Sequence, residues 1–315
     1  MAGDRIRYEI ETYDGEKTQL ALYREEKRVL SVGGLGSPPI NYLTSTGYRV
    51  HGEIEQDWRY DVRTISLAID HKACSDEDYY LLRRALLDAT RPNRCGPFTF
   101  RVILPDGDRY EVLCRLQTGT EYGPRPTDRW KEWSVDDIFS LTAFDPFWRE
   151  LPENVVLFIA GAGRWWRLPF TFGGPAPFRF GSGDIDSIES VTYAGDIWGP
   201  MRIIITGPYT YMRLINQTLS PAVEVGLFNT LPADQQAIID LYPKSWRDPT
   251  KPQVRNITTG ESLANYLTPQ SDTANMRLEA HPIVENGANE LQLILTGTTP
   301  ESGLEIRFYD RWIGI

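Results

Sequence analysis

Apolar and polar residues alternate most clearly in RTISLAID. Arg63, Ile65, Leu67 and Ile69 fall on one side and Thr64, Ser66, Ala68 and Asp70 on the other, the two-residue period of a half-buried strand. The period then changes. In SDEDYYLLRRALLDATRP, Tyr79, Leu82, Leu86 and Ala89 recur at spacings of three and four, which places one apolar stripe along a helix. Ser75 stands at the N-cap position, Asp78 at the third helical position and Pro92 at the stop; the acidic first turn suits the helix dipole. PFTFRVILPDGDRYEVLCRL returns to period two. Phe98, Phe100, Val102 and Leu104 alternate, Pro105 to Asp108 form a turn, and Tyr110, Val112, Cys114 and Leu116 alternate on the way back, which predicts a hairpin. A charged segment from Gln117 to Trp133 leads into a strand that ends at Asp145.

Outside this stretch the pattern is looser. Residues 1–50 are mixed, and the Gly/Pro cluster from Ser31 to Leu43 reads as a loop. Beyond residue 150 helical periodicity almost vanishes. VVLFIAG, RLPFTF, SIESVTYAG, MRIIITG, YMRLIN, MRLEAHPIV, LQLILTG and GLEIRFYDRWIGI are short strand candidates separated by turn residues, the pattern of an antiparallel sandwich. PADQQAIIDLY fits a helix or a strand with an insertion equally well.

Composition marks a border between the two patterns. Residues 1–150 hold 21 Lys+Arg and 26 Asp+Glu, and residues 151–315 hold 12 and 17. The charged fraction therefore drops at LTAFDPFWRE. Pro146 ends the preceding element because it fixes its own φ, lacks an N–H and holds Asp145 extended. Phe147 and Trp148 follow at once, two large apolar faces where a chain leaving one packed body needs an anchor. Two domains are expected, 1–150 and 151–315, with Asp145, Pro146, Phe147 and Trp148 at the junction. The expected fold class is mainly β with one helix, in the N-terminal domain.

An acidic chain with net charge −10 repels phosphate backbones, which speaks against nucleic-acid binding. No apolar run approaches the roughly 20 residues that span a bilayer. The charge-dense first thirty residues contain no signal-peptide core, so a soluble protein without a cleaved leader is expected. Cys74, Cys95 and Cys114 form no CxxC pair and read as buried thiols in a reducing compartment.

Candidate chemistry is sparse. His51, His71 and His281 lack ligand-like spacing, so no metal or cofactor is expected. VGGLGSPP, Val32 to Pro39, lacks the strand-to-helix context and the lysine of a phosphate loop. Asp136 and Asp137 are adjacent, so on a strand they point to opposite faces and cannot flank one glycosidic bond. No catalytic residue is assigned. Trp165 and Trp166 are also adjacent; on a strand one of them faces outward, which makes the pair a candidate ligand contact, as on sugar-binding sandwich faces.

The order WRYDVRTISLAI, DEDYYLLRRALLDATRPNRCGPFTFRVILPDGDRYEVLCRL and WSVDDIFSLTAFDPFWRE resembles the distal tail proteins of long-tailed, non-contractile bacteriophages. GPYTYMRLINQT and LQLILTG with RFYDRWIGI resemble the carboxyl-terminal half of that family more loosely. The resemblance implies a belt-type N-terminal domain followed by a galectin-like antiparallel β-sandwich. It implies a non-enzymatic baseplate protein of the virion tail tip, assembled in the host cytoplasm as a homo-hexameric ring. Its partners would be the tail tube protein, the tail hub protein and a receptor-binding protein or host glycan. Under it, Trp58, Arg59, Tyr60 and Arg63 are candidate ring-interface residues. A carbohydrate-binding adhesion module is the alternative. Residues 219–255 look longer than a minimal sandwich connection, so an insertion is expected there, and residues 1–50 match the family weakly.

Overall fold

A computed structural model describes residues 6–12, 15, 17–20, 27–46, 51–72, 76–91, 96–117, 121–122, 133–159, 184–248, 250–299 and 301–315. Two compact units divide the chain. The first holds residues 1–152 together with 312–315, and the second holds residues 153–311.

The first unit is built on one antiparallel sheet. Its strands are β1 (Arg7–Glu11), β2 (Lys17–Leu20), β3 (Lys27–Gly33), β6 (Arg63–Lys72), β7 (Phe98–Ile103), β8 (Arg109–Leu116) and β10 (Trp133–Ala143), in the order β2-β1-β7-β8-β10-β6-β3. The short strand β9 (Glu121–Tyr122) adds to β10, and β11 (Trp148–Leu151) adds to β8. Among the described residues the strand β4 (Ile40–Ser45) pairs with β5 (Ile54–Tyr60) alone, as a separate two-stranded ribbon. The helix α1 spans Asp76–Thr90.

Binary patterning explains most of this unit. Ile65, Leu67 and Ile69 of β6, Phe98, Phe100 and Val102 of β7, and Val112 and Cys114 of β8 are all buried in one core cluster. Leu86 of α1 joins that cluster, Ala89 is buried, and Tyr80 and Leu81 on the other side of the helix are exposed. The β7–β8 hairpin turns as its sequence predicts: the Leu104 N–H donates to the Asp108 carbonyl at 2.9 Å, and Gly107 takes φ +104, a region open to glycine. Ser75, Pro92, Cys74 and Cys95 lie outside the described residues.

The loop expected from Ser31 to Leu43 is loop only in its middle. Lys27–Gly33 is a strand paired with β6, with an irregularity at Val29 and Ser31, and Ile40–Ser45 is a strand too; only residues 34–39 between them connect. The irregular register displaces the period-two pattern by one residue, which hides it from a periodicity count.

The second unit is an antiparallel sandwich. One sheet has the order β12 (Asn154–Ile159), β20 (Gly303–Phe308), β14 (Met201–Thr206), β17 (Gln236–Asp240) and β18 (Val254–Asn256). The other runs β13 (Ile185–Thr192), β19 (Ala288–Thr296), β15 (Tyr211–Asn216) and β16 (Val223–Leu227). Met201, Ile203 and Ile205 from the first sheet and Met212, Leu214, Leu291, Leu293 and Leu295 from the second share one core, so alternate residues of both sheets interdigitate. PADQQAIIDLY resolves as a strand at Gln236–Asp240. Residues 219–255 supply strands to both sheets, as β16, β17 and the start of β18.

RLPFTF lies outside the described residues, and among the described strand candidates one departs from its expectation. MRLEAHPIV buries Met276, Leu278 and Ala280, as its alternation requires, yet it pairs in sheet fashion only through the bridge between Leu278 and Gly199. Buried asparagines take the neighbouring backbone groups instead. Asn289 accepts from the Glu279 N–H at 2.8 Å and donates to the Glu279 carbonyl at 2.9 Å, while Asn216 donates to the Arg277 carbonyl at 2.7 Å. A side-chain amide thus replaces a partner strand.

Candidate functional site

Among the described residues of the first unit, the β4–β5 ribbon gathers exposed apolar side chains on paired strands. Its register pairs Ile40 with Tyr60 and Tyr42 with Trp58. Residues two apart on a strand share a face, so Ile40, Tyr42, Trp58 and Tyr60 line one side. Asn41, Leu43, Asp57 and Arg59 line the other. Trp58 is 49% exposed and Tyr42 54%, so this aromatic side faces outward along most of its length. The ribbon is also acidic, with Glu53, Glu55, Asp57 and Asp61 against Arg59. A two-stranded ribbon is marginal by itself in water, and exposed aromatic residues in a row make this one a candidate contact surface.

Among the described residues, the root of the ribbon is tied to the rest of the first unit. The Asp61 N–H donates to the Pro39 carbonyl at 2.8 Å. Tyr60 packs edge-on against Phe147 with centroids 5.3 Å apart, and Trp58 edge-on against Tyr60 at 5.2 Å. The side chains of DPFW are therefore packed inside the first unit. Phe147 supports the ribbon, and fully buried Trp148 reaches Phe100 at 6.2 Å and donates from its indole to the Leu35 carbonyl at 3.1 Å.

Beneath the root lies Arg63. It was expected beside Trp58, Arg59 and Tyr60 at an interface, but it is 1% exposed and faces inward with Ile65 and Leu67, as its place in the period-two pattern dictates. Its Nε donates to the Pro146 carbonyl at 2.6 Å, one Nη to the carbonyls of Gly34 (2.7 Å) and Gly36, and the other Nη to the Ile313 carbonyl at 2.6 Å. The guanidinium lies 5.2 Å from the Trp148 ring centroid. Burial pushes its pKa down to about 10, because among the described residues carbonyl dipoles and one aromatic face, with no paired carboxylate, hold the charge. Cys114 is buried nearby, and desolvation drives its thiol upward, as befits an unreactive core cysteine.

A second charged feature crosses four strands. Glu9, Arg101, Glu111 and Arg149 stand in direct register on β1, β7, β8 and β11. Consecutive neighbours are joined at 2.6, 2.9 and 2.9 Å, and Glu11 adds a contact to Arg101 at 3.0 Å. Alternating sign along the row makes each ion the counter-ion of the next, which tolerates their low exposure.

In the second unit Arg202 lies over Tyr242 at 4.7 Å and pairs with Asp240 at 3.3 Å. The Tyr242 hydroxyl donates to Glu153 at 2.6 Å, and burial raises its pKa far above the ordinary range. Both carboxylates are thus engaged by this chain's own groups, the arrangement of a structural tie. Elsewhere on the sandwich Phe228 is 70% exposed, with Tyr211 6.1 Å away. Trp165 and Trp166 lie outside the described residues. Asp136 and Asp137 fall at the irregular part of β10, between Ser134 and Asp137. Among the described residues no cluster of three or more His, Cys, Asp or Glu could hold a metal ion.

Over this geometry, comparison with solved structures is informative. The SPP1 Dit protein, described as a paradigm of the hub adsorption apparatus in phages that infect Gram-positive bacteria, superposes with a TM-score of 0.61 at 12% identity, covering 96% of this chain and 98% of its own. The chain has the fold of a phage distal tail protein. A chain of the phage P2 baseplate, in its activated conformation with calcium, superposes with a TM-score of 0.56 at 11% identity over 97% and 98%. No protein-family model matches the chain, and no curated protein matches it. The exposed ribbon face was missed from sequence as a unit: Trp58, Arg59 and Tyr60 were singled out, whereas Ile40 and Tyr42 sat inside an expected loop.

Proposed function

We propose that this chain is a non-enzymatic structural protein of a bacteriophage tail tip. It assembles as a ring, six-membered as the family resemblance implies, between the tail tube protein and the hub and host-recognition apparatus of the baseplate. The observation that carries this reading is the likeness to SPP1 Dit along nearly the whole of both chains. The first unit is the ring-forming belt, closed by Asp145–Trp148, and the second is a galectin-like outer sandwich. Trp58, Arg59 and Tyr60, with Ile40 and Tyr42, form the contact between copies. Closed rings need one face of a subunit to fit a different face of the next, and a projecting ribbon with one apolar side supplies such a face.

Light scattering and negative-stain electron microscopy of the purified protein test this. Rings of six are expected; a strictly monomeric species at high concentration and physiological salt counts against ring formation by this chain alone. Addition of the tail hub protein then asks whether a template is needed.

A second reading, a carbohydrate-binding adhesion module, is favoured by exposed Phe228 beside Tyr211, since a free aromatic face can stack on a sugar ring. Titration with host envelope polysaccharide should then show millimolar or tighter binding that Phe228→Ala abolishes. No response at millimolar sugar ends that reading.

A further inference from the structure

Residues 312–315 follow the whole second unit in sequence, yet they belong to the first. Trp312 donates from its indole to Glu150 at 2.7 Å, Ile313 offers its carbonyl to Arg63, and the Ile315 N–H donates to the Leu35 carbonyl at 3.3 Å. Gly314 lies so close to Gly36 that a Cβ there would stand 3.1 Å from the Gly36 carbonyl carbon and 3.2 Å from its Cα. The segment 34–36 leads directly into β4. Arg63 therefore joins three pieces of chain around the root of the ribbon: the 34–36 segment, Pro146 and Ile313.

We propose that Arg63 and residues 312–315 form a clasp that fixes the direction of the β4–β5 ribbon, so that the assembly surface is set only once the chain beyond the second unit is in place. This deepens the ring proposal and rests on it. The physical reason lies in the arginine. A buried guanidinium has five N–H donors to satisfy, and each one left without an acceptor costs desolvation. Without Ile313 the group keeps its partners at Gly34, Gly36 and Pro146 but loses one acceptor, and relaxation toward water would draw the 34–36 segment with it. Chains lacking residues 312–315 would then carry a misdirected ribbon and be kept out of rings.

Hydrogen exchange on the full-length protein tests the clasp directly. Gly314→Val pushes residues 312–315 away from the Gly36 backbone, and Trp312→Phe removes the donor to Glu150 while keeping an aromatic ring against the core cluster that Trp312 borders. Exchange about tenfold faster or more is expected at residues 33–39 and through β4 and β5, with β7 unchanged, together with loss of rings. Arg63→Lys, which keeps the charge and loses the planar fork, should do the same. Unchanged exchange at 33–39 when the Ile315 amide has lost protection overturns the proposal. So does uniformly faster exchange that includes β7, which would mean plain destabilisation. If the unmodified protein never forms rings, the ring proposal fails while exchange at the root still decides the clasp.

Discussion

At the residue scale, buried polar groups do more to specify this fold than their number suggests. Asn289 satisfies both backbone groups of Glu279 and the Gly287 carbonyl with one side chain. Asn289→Ala leaves these groups buried and unpaired, so a loss of about 2–3 kcal/mol is expected, seen as a lower urea midpoint at unchanged slope. Nothing in NGANELQLIL marks Asn289 for this role, because the Glu279 groups it serves lie ten residues away. Buried phenols make a separate prediction. Burial raises the pKa of Tyr193, Tyr209 and Tyr242. The neutral form is therefore favoured in the folded state, and the resulting stability is full below the ordinary tyrosine range near 10 and lost as pH rises above it. Alkaline titration followed at 295 nm should show these phenols ionising late, together with unfolding. Arg63 has the opposite sign: its lowered pKa means that the folded state carries the charge at a cost relieved above pH 10, a smaller effect than three phenols.

At the element scale, period and register explain what could be read in advance. β6, α1 and the β7–β8 hairpin each bury one regular stripe, and all three follow from spacing alone. The ion row over β1, β7, β8 and β11 was not readable, since Glu9, Arg101, Glu111 and Arg149 meet only when four strands align. Glu111→Ala removes the carboxylate that joins Arg149 and one of the three around Arg101, which keeps Glu9 and Glu11, so a loss of about 3 kcal/mol is expected in chemical unfolding. Replacing Glu111 and Arg101 together by apolar residues of similar size should cost less than the sum of the two single replacements, which a double-mutant cycle measures. The ribbon shows the converse limit. Its alternation is regular on each side of the irregularity at Leu43 and Thr44, but SPPINYL carries so strong a loop signature that the strand is masked.

At the scale of the whole molecule, two units with separate cores should melt in two calorimetric steps. Leu214→Ala should lower one step by about 2–5 kcal/mol of stability and Trp148→Ala the other by a similar amount, each leaving its counterpart in place. Trp58→Ser removes an exposed ring, so its effect on stability should stay within about 0.5 kcal/mol while assembly measured by light scattering falls. A loss of folding instead would mark Trp58 as a core residue. The alternation of apolar residues, the helix between strands and the change of composition near residue 150 determined by themselves that this is a mainly β chain with a charged first part and a sandwich-like second. Local spacing suffices for that, because each element must bury its own stripe. Only the tertiary structure decided that Arg63 faces inward, that residues 312–315 return to the first unit, that asparagines replace a strand beside MRLEAHPIV, and that the ribbon is left largely exposed. Those features depend on contacts between residues tens to hundreds of positions apart, which no local period encodes.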